Sequence, residues 1–147
     1  MAILIRLFPV YCSLCCLFLA PLAQAAALND ERGARRIERL FDLIESRLAI
    51  MDQVAAYKYI NKLAIEDPLR ENQVLDAASD AALAYGLTPD SSRFFFALQI
   101  EAAKEIQRYW FEEWSGNRPV PSNVESLNEV LRPRLIDLGD AIIETIN

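Results

Sequence analysis

The chain has 147 residues, with 15 basic and 21 acidic side chains, no histidine and a formal net charge of −6. The missing histidine excludes a Ser-His or Cys-His nucleophile and a histidine metal site, and the acidic balance argues against a broad basic face for nucleic acid. The length suffices for one domain with its own core.

Residues 1–27 stand apart, because Arg6 is their one charge, set in an apolar run from Ala2 through Leu22 and followed by small residues up to Ala27. This pattern predicts a secretory signal cleaved after Ala23-Gln24-Ala25 or Ala25-Ala26-Ala27, with a domain over 28–147. The run is also just long enough to span a bilayer, so retention as an anchor is the alternative. Cys12, Cys15 and Cys16 are the three cysteines, and all lie inside this segment; none follows the apolar run as lipid attachment would require. The mature protein, starting near Ala26 or Leu28, is therefore expected to be thiol-free, periplasmic or secreted, without stable membrane association, and dependent on its own core. It retains 14 basic against 21 acidic side chains, so a small anionic ligand would need locally placed arginines.

From Glu31 to about Leu63, Ile37, Leu40, Phe41, Ile44, Leu48, Met51 and Ala55 recur at three- and four-residue intervals, which predicts one long helix. A linker, Ala64-Ile65-Glu66-Asp67, leads into a second helix with Asp67 as N-cap, Pro68 at its first position, and an end near Tyr85 at Gly86. Its apolar side, Val74, Ala77, Ala78, Ala81 and Tyr85, is mostly alanine and admits a close neighbour. Thr88-Pro89 starts a third helix that runs to about Trp114 and carries Phe95, Phe96, Ile100, Ala103, Ile106 and Trp110. After a loop from Ser115 to Pro121, Ser122 and Glu125 form a capping-box signature for a fourth helix toward Asn147, with Pro133 predicting a kink near Leu131. The expected architecture is all-α, a single-domain bundle of about four main helices with any site lying between helices of one chain.

Polar residues on these apolar faces are the candidates for chemistry. Arg47 and Lys58, eleven residues apart, fall within about 20° of each other around a helix axis and roughly 16 Å apart along it. They either snorkel to solvent or lean into one groove. Arg70 projects on the side of Val74, Ala77 and Ala81, where Asp67 or Glu71 could neutralise it, or where a ligand anion could. Gln107 falls on the stripe of Phe96, Ile100, Ala103 and Trp110, so its amide must bond either a facing helix or a ligand. No general acid-base pair is evident. Arginines, a lysine and a glutamine converging between helices describe a polycarboxylate site with no metal and no cofactor.

The segment from about Leu40 to Trp114 resembles the all-helical chorismate mutase family, on the ordered set Arg47, Lys58 in Val54-Ala55-Ala56-Tyr57-Lys58, Ile65-Glu66-Asp67, Arg70-Glu71 and Gln107. With the signal segment and a further C-terminal helix, it is most similar to the exported subclass. The resemblance implies chorismate as substrate, Arg47 and Arg70 on its carboxylates, Lys58 and Gln107 donating to the ether oxygen, Glu71 accepting from the ring hydroxyl, and Asp67 within the binding set. It also implies one more arginine from the C-terminal region, Arg132 or the neighbouring Arg134. Ala103 and Val74 depart from relatives that carry polar residues there. Glutamine at 107 needs no proton, so activity should not fall as pH rises through about 5 to 7. The same demands are made by isochorismate in a pyruvate lyase on this fold. A non-catalytic periplasmic helical binding protein is the reading from another class. Tyr109 and Phe111 either form a homodimer surface or pack on the fourth helix.

Overall fold

The computed structural model describes residues 10–147, with side chains from Asp30 onward. In chain order the elements are α1 (Val10–Ala49), α2 (Met51–Ile60), α3 (Pro68–Ala84), α4 (Pro89–Ser115), a π-helical turn (Leu127–Leu131) and α5 (Arg132–Ile146). No strand occurs among the described residues, so the fold is all-α as periodicity requires.

The chain divides into two units, one reaching Glu38 and the other Arg39–Asn147. In the first unit, helix α1 carries an exposed Arg35–Glu31 pair at 3.4 Å, of a spacing that adds a few tenths of a kcal/mol to a helix. The first nine residues of the expected signal segment lie outside the described residues, and residues 10–27 are helical. Among the described residues, no helix is long and apolar enough to cross a membrane.

In the second unit, the single helix expected from Glu31 to Leu63 is two. The break falls at Ile50, whose ψ of −14 departs from the helical value of about −42°. Helix α2 also ends sooner than expected, at Ile60, because Lys62 turns left-handed at φ 55. The amide of Leu63 then bonds the Lys58 carbonyl at 2.8 Å and that of Lys62 bonds Tyr59 at 3.2 Å, the paired bonds of a Schellman cap. Helix α3 closes in the same way at Gly86, φ 70, with Leu87 N–H on Ala82. There the glycine announces the cap; at Lys62 nothing in the residue type does.

Asp67 and Pro68 open α3 as expected, the Asp67 carboxylate accepting from the Arg70 amide. The capping box at Ser122 does not form. The helical run starts four residues later, where the Ser126 hydroxyl accepts from the Glu129 amide. The kink near Leu131 is a π-to-α junction, with the Arg132 amide on the Leu127 carbonyl. The preceding π turn absorbs the ring and the missing N–H of Pro133, which an α-helix cannot seat without loss.

Three apolar clusters hold this unit together. Ile50 at the α1–α2 break and Met51 and Val54 of α2 pack with Leu127 and Leu131. Ala78 of α3, Phe96 of α4 and Ile142 and Ile143 of α5 pack with Leu40, Leu43 and Ile44 of α1. Ala55, Ala56 and Trp114 gather Tyr59, Trp110 and Phe111. Three large residues assigned to inward stripes are exposed instead, Ile37 at 57%, Phe41 at 65% and Tyr85 at 40%. Phe111 packs edge-on against Tyr59 of α2 rather than on the fourth helix, while Tyr109 is half exposed.

Candidate active site

The three clusters leave a cavity of about 280 Å³ between α2, α3, α4 and α5, to whose lining the last turn of α1 contributes Arg47. Its apolar wall includes Val54, Val74, Ala77, Phe96, Ile100 and Ala103. All seven residues singled out from the sequence line it: Arg47, Lys58, Asp67, Arg70, Glu71, Gln107 and Arg132. Arg134 does not; it turns away to pair with Glu125 at 2.9 Å. The positions without the polar groups of some relatives, Ala103 and Val74, form plain apolar wall.

Arg47 and Lys58 do not snorkel, being only 7% and 8% exposed. Arg47 donates through Nη1 to the Leu135 carbonyl at 3.0 Å and lies 5.8 Å from the Phe96 ring centre, while its buried Nε has no partner. Lys58 Nζ donates to the Ile65 carbonyl at 2.5 Å. Among the described residues neither cation has a carboxylate within ion-pair distance. Burial, and then the Arg70 guanidinium, lower the Arg47 pKa. Burial also pushes the Lys58 ammonium below the usual lysine range; Arg132 adds to that, while Asp67, Glu71 and Glu66 oppose it. Two desolvated cations held without a carboxylate in direct contact are an energetic cost that an anion placed against them would relieve.

Arg70 is not neutralised by Asp67 or Glu71. Its guanidinium bonds the neutral Gln73 Oε1 at 3.2 Å, and no carboxylate among the described residues lies within ion-pair distance of it. Gln107, 4% exposed, donates from Nε2 to the Ala103 carbonyl at 3.1 Å and lies 3.8 Å from the Met51 sulfur, a weak acceptor; its Oε1 has no partner. The amide therefore has one firm bond to its own helix and a second N–H that a better acceptor can claim.

The segment Ile65-Glu66-Asp67 explains how these groups are held. Its first residue bonds Lys58 of α2. Glu66 pairs with Arg108 of α4 at 3.2 Å, and Asp67 Oδ2 pairs with Arg132 of α5 at 3.2 Å. Three consecutive residues thus tie the α2–α3 connection to three helices. Arg132 also donates to Asn128 Oδ1 at 2.6 Å, which fixes it just beyond the π turn. Glu71 accepts the Asp67 amide at 2.9 Å through Oε1 and meets Lys104 at 3.3 Å through Oε2.

Lys104 lines the cavity and was not among the sequence candidates. Its spacing of three from Gln107 was the available signal, since such residues share a helix face. Asp140 of α5, at the cavity rim, was likewise not singled out.

The sequence profile of the chorismate mutase type II family matches residues 38–108. The chain is 35% identical to a secreted chorismate mutase of Yersinia pestis, over 71% of this chain and 55% of that protein. It is 33% identical to a secreted chorismate mutase of Mycobacterium tuberculosis, over 67% of this chain and 49% of that protein. The crystal structure of a chorismate mutase from Burkholderia thailandensis superposes with a TM-score of 0.73 at 32% identity, covering 76% of this chain and 70% of that one. The chain spans about half the length of the curated relatives it matches.

Proposed function

Because this chain belongs to the chorismate mutase type II family, we propose that it rearranges chorismate to prephenate in the cavity between α2, α3, α4 and α5. The observation that carries the reading is the set of buried cations, Arg47 and Lys58, without carboxylate partners, beside Arg70 held by a neutral amide.

The reaction is a [3,3] rearrangement, in which a carbon–oxygen bond breaks as a carbon–carbon bond forms, with no nucleophile and no proton transfer. The site has two tasks: to hold the compact conformer of a dicarboxylate, and to stabilise charge that grows on the ether oxygen. Arg47, Arg70 and Arg132 take the carboxylates, which fixes the reacting ends near each other. The free N–H groups of Lys58 and Gln107 donate to the ether oxygen, where they gain strength as the bond lengthens. Glu71 accepts from the ring hydroxyl. Asp67 serves by seating Arg132 and capping α3, since its carboxylate is spent on those two partners. The apolar wall excludes water, which raises the effect of each fixed charge.

The apolar segment up to Ala27 acts as an export signal removed near Ala25–Leu28, leaving 28–147 as the periplasmic or secreted enzyme. The composition of that segment supports this, as do relatives named as secreted.

The test is to offer chorismate and isochorismate separately to the purified protein and identify the products by NMR. Prephenate from chorismate is the expected result. Pyruvate released from isochorismate, with chorismate untouched, would overturn the proposal.

A further inference from the structure

We infer that Lys104 is a positioning residue for Glu71, and that it sets the charge of the cavity to match a dicarboxylate; this rests on the reading of the site given above. Lys104 reaches the cavity from α4 with its side chain 13% exposed, and its ammonium lies between Glu71 Oε2 at 3.3 Å and Glu101 Oε1 at 2.6 Å. The two partners differ in kind. Glu101 is 61% exposed and an ordinary i,i+3 neighbour, whereas Glu71 is 25% exposed and belongs to α3.

Glu71 is gripped from both sides. One oxygen takes the Asp67 amide, the other the Lys104 ammonium. Each carboxylate oxygen keeps a lone pair, so Glu71 stays able to accept from a hydroxyl while being held in one place. The hydrogen bond to Glu101, opposed by desolvation and then reinforced by Glu71, keeps the ammonium above the usual lysine range and so charged at neutral pH.

The charge balance points the same way. Arg47, Lys58, Arg70, Lys104 and Arg132 line the cavity against Asp67, Glu71 and Asp140. The excess is two positive charges, the complement of a dianion. Without Lys104 that excess is halved, and Glu71 faces the incoming carboxylates with no ammonium in ion-pair contact among the described residues, an unfavourable like-charge arrangement. Replacing Glu71 by glutamine as well restores the excess and removes the group that Lys104 positions. Lys104 should therefore matter only while Glu71 is a carboxylate.

The experiment is a double-mutant cycle on the full chain, with steady-state chorismate kinetics for the unsubstituted protein, Lys104→Met, Glu71→Gln and the pair, and Lys104→Arg as the conservative control. Circular dichroism melts establish that each variant is folded. The expected result is a KM raised about tenfold or more by Lys104→Met with a smaller change in kcat. The same substitution should change kcat/KM by less than about threefold in the Glu71→Gln background, and Lys104→Arg should recover most of the loss. Equal losses in both backgrounds, a normal KM in Lys104→Met, or no recovery with arginine would each overturn the inference while leaving the mutase reading intact. Absence of turnover in the folded, unsubstituted chain overturns the reading of the site, and this inference with it.

Discussion

Replacing Lys58 by methionine should separate catalysis from folding. The side chain is 8% exposed, and its ammonium has one hydrogen-bond partner, the Ile65 carbonyl, with no carboxylate within ion-pair distance among the described residues. Methionine keeps the apolar stem and deletes the charge. The fold loses one hydrogen bond, about 1 kcal/mol, and is relieved of a buried cation whose desolvation already lowers its pKa. These offset, so stability should stay within about 1 kcal/mol, a few degrees in melting temperature for a domain of this size. Turnover loses a donor whose bond strengthens in the transition state, an effect of about 3–4 kcal/mol or on the order of 100- to 1,000-fold. The assay pairs chorismate consumption with a thermal melt on the same preparation. A variant with near-normal turnover refutes the role of Lys58, and a variant whose lost turnover tracks a collapse in melting temperature refutes the separation.

Gln107→Leu should lose turnover on the order of 100-fold with normal helicity, because it removes the second donor to the ether oxygen. Gln107→Glu should work only where the new carboxyl is protonated, so its rate should fall as pH rises through about 5 to 7, whereas the unsubstituted protein stays level there; rate profiles of the two decide this. On the alkaline side, donation needs protonated Lys58, whose pKa burial lowers, so kcat/KM should decline at a pH below the ordinary lysine range. In that same window the unfolded chain holds the extra proton, so this residue's contribution to stability grows with pH while activity falls. A decline that coincides with unfolding contradicts the assignment. Leu131→Ala empties a site of zero exposure immediately before Arg132, and should cost about 2–5 kcal/mol in denaturant titrations. A cost under about 1 kcal/mol would show that the π turn carries little of the packing.

The parts of this fold readable in the sequence were those with a local cause. Asp67-Pro68 and Gly86 announce the ends of α3 because a cap, a fixed φ and a left-handed residue each have a preferred chemistry. The break at Ile50 and the left-handed Lys62 have no such mark, since packing of α2 against α4 and the π turn decides them. Ser122 and Ser126 both precede a glutamate by three residues, and local pattern alone chose the wrong one. At the site, Arg47, Lys58, Arg70, Glu71 and Gln107 were found as an ordered set, but whether the cations snorkel or face inward depends on what covers them. Lys104 was missed for a similar reason. Beside Glu101 it reads as a surface pair, and only the approach of Glu71 from α3 turns it into a residue of the cavity.

The measurement that bears most directly on the account is the initial rate of chorismate consumption by the purified chain as substrate is raised, with a metal chelator present. The account predicts saturable formation of prephenate well above the rate in buffer, unchanged by the chelator. A folded, helical protein that leaves chorismate at its uncatalysed rate would contradict it.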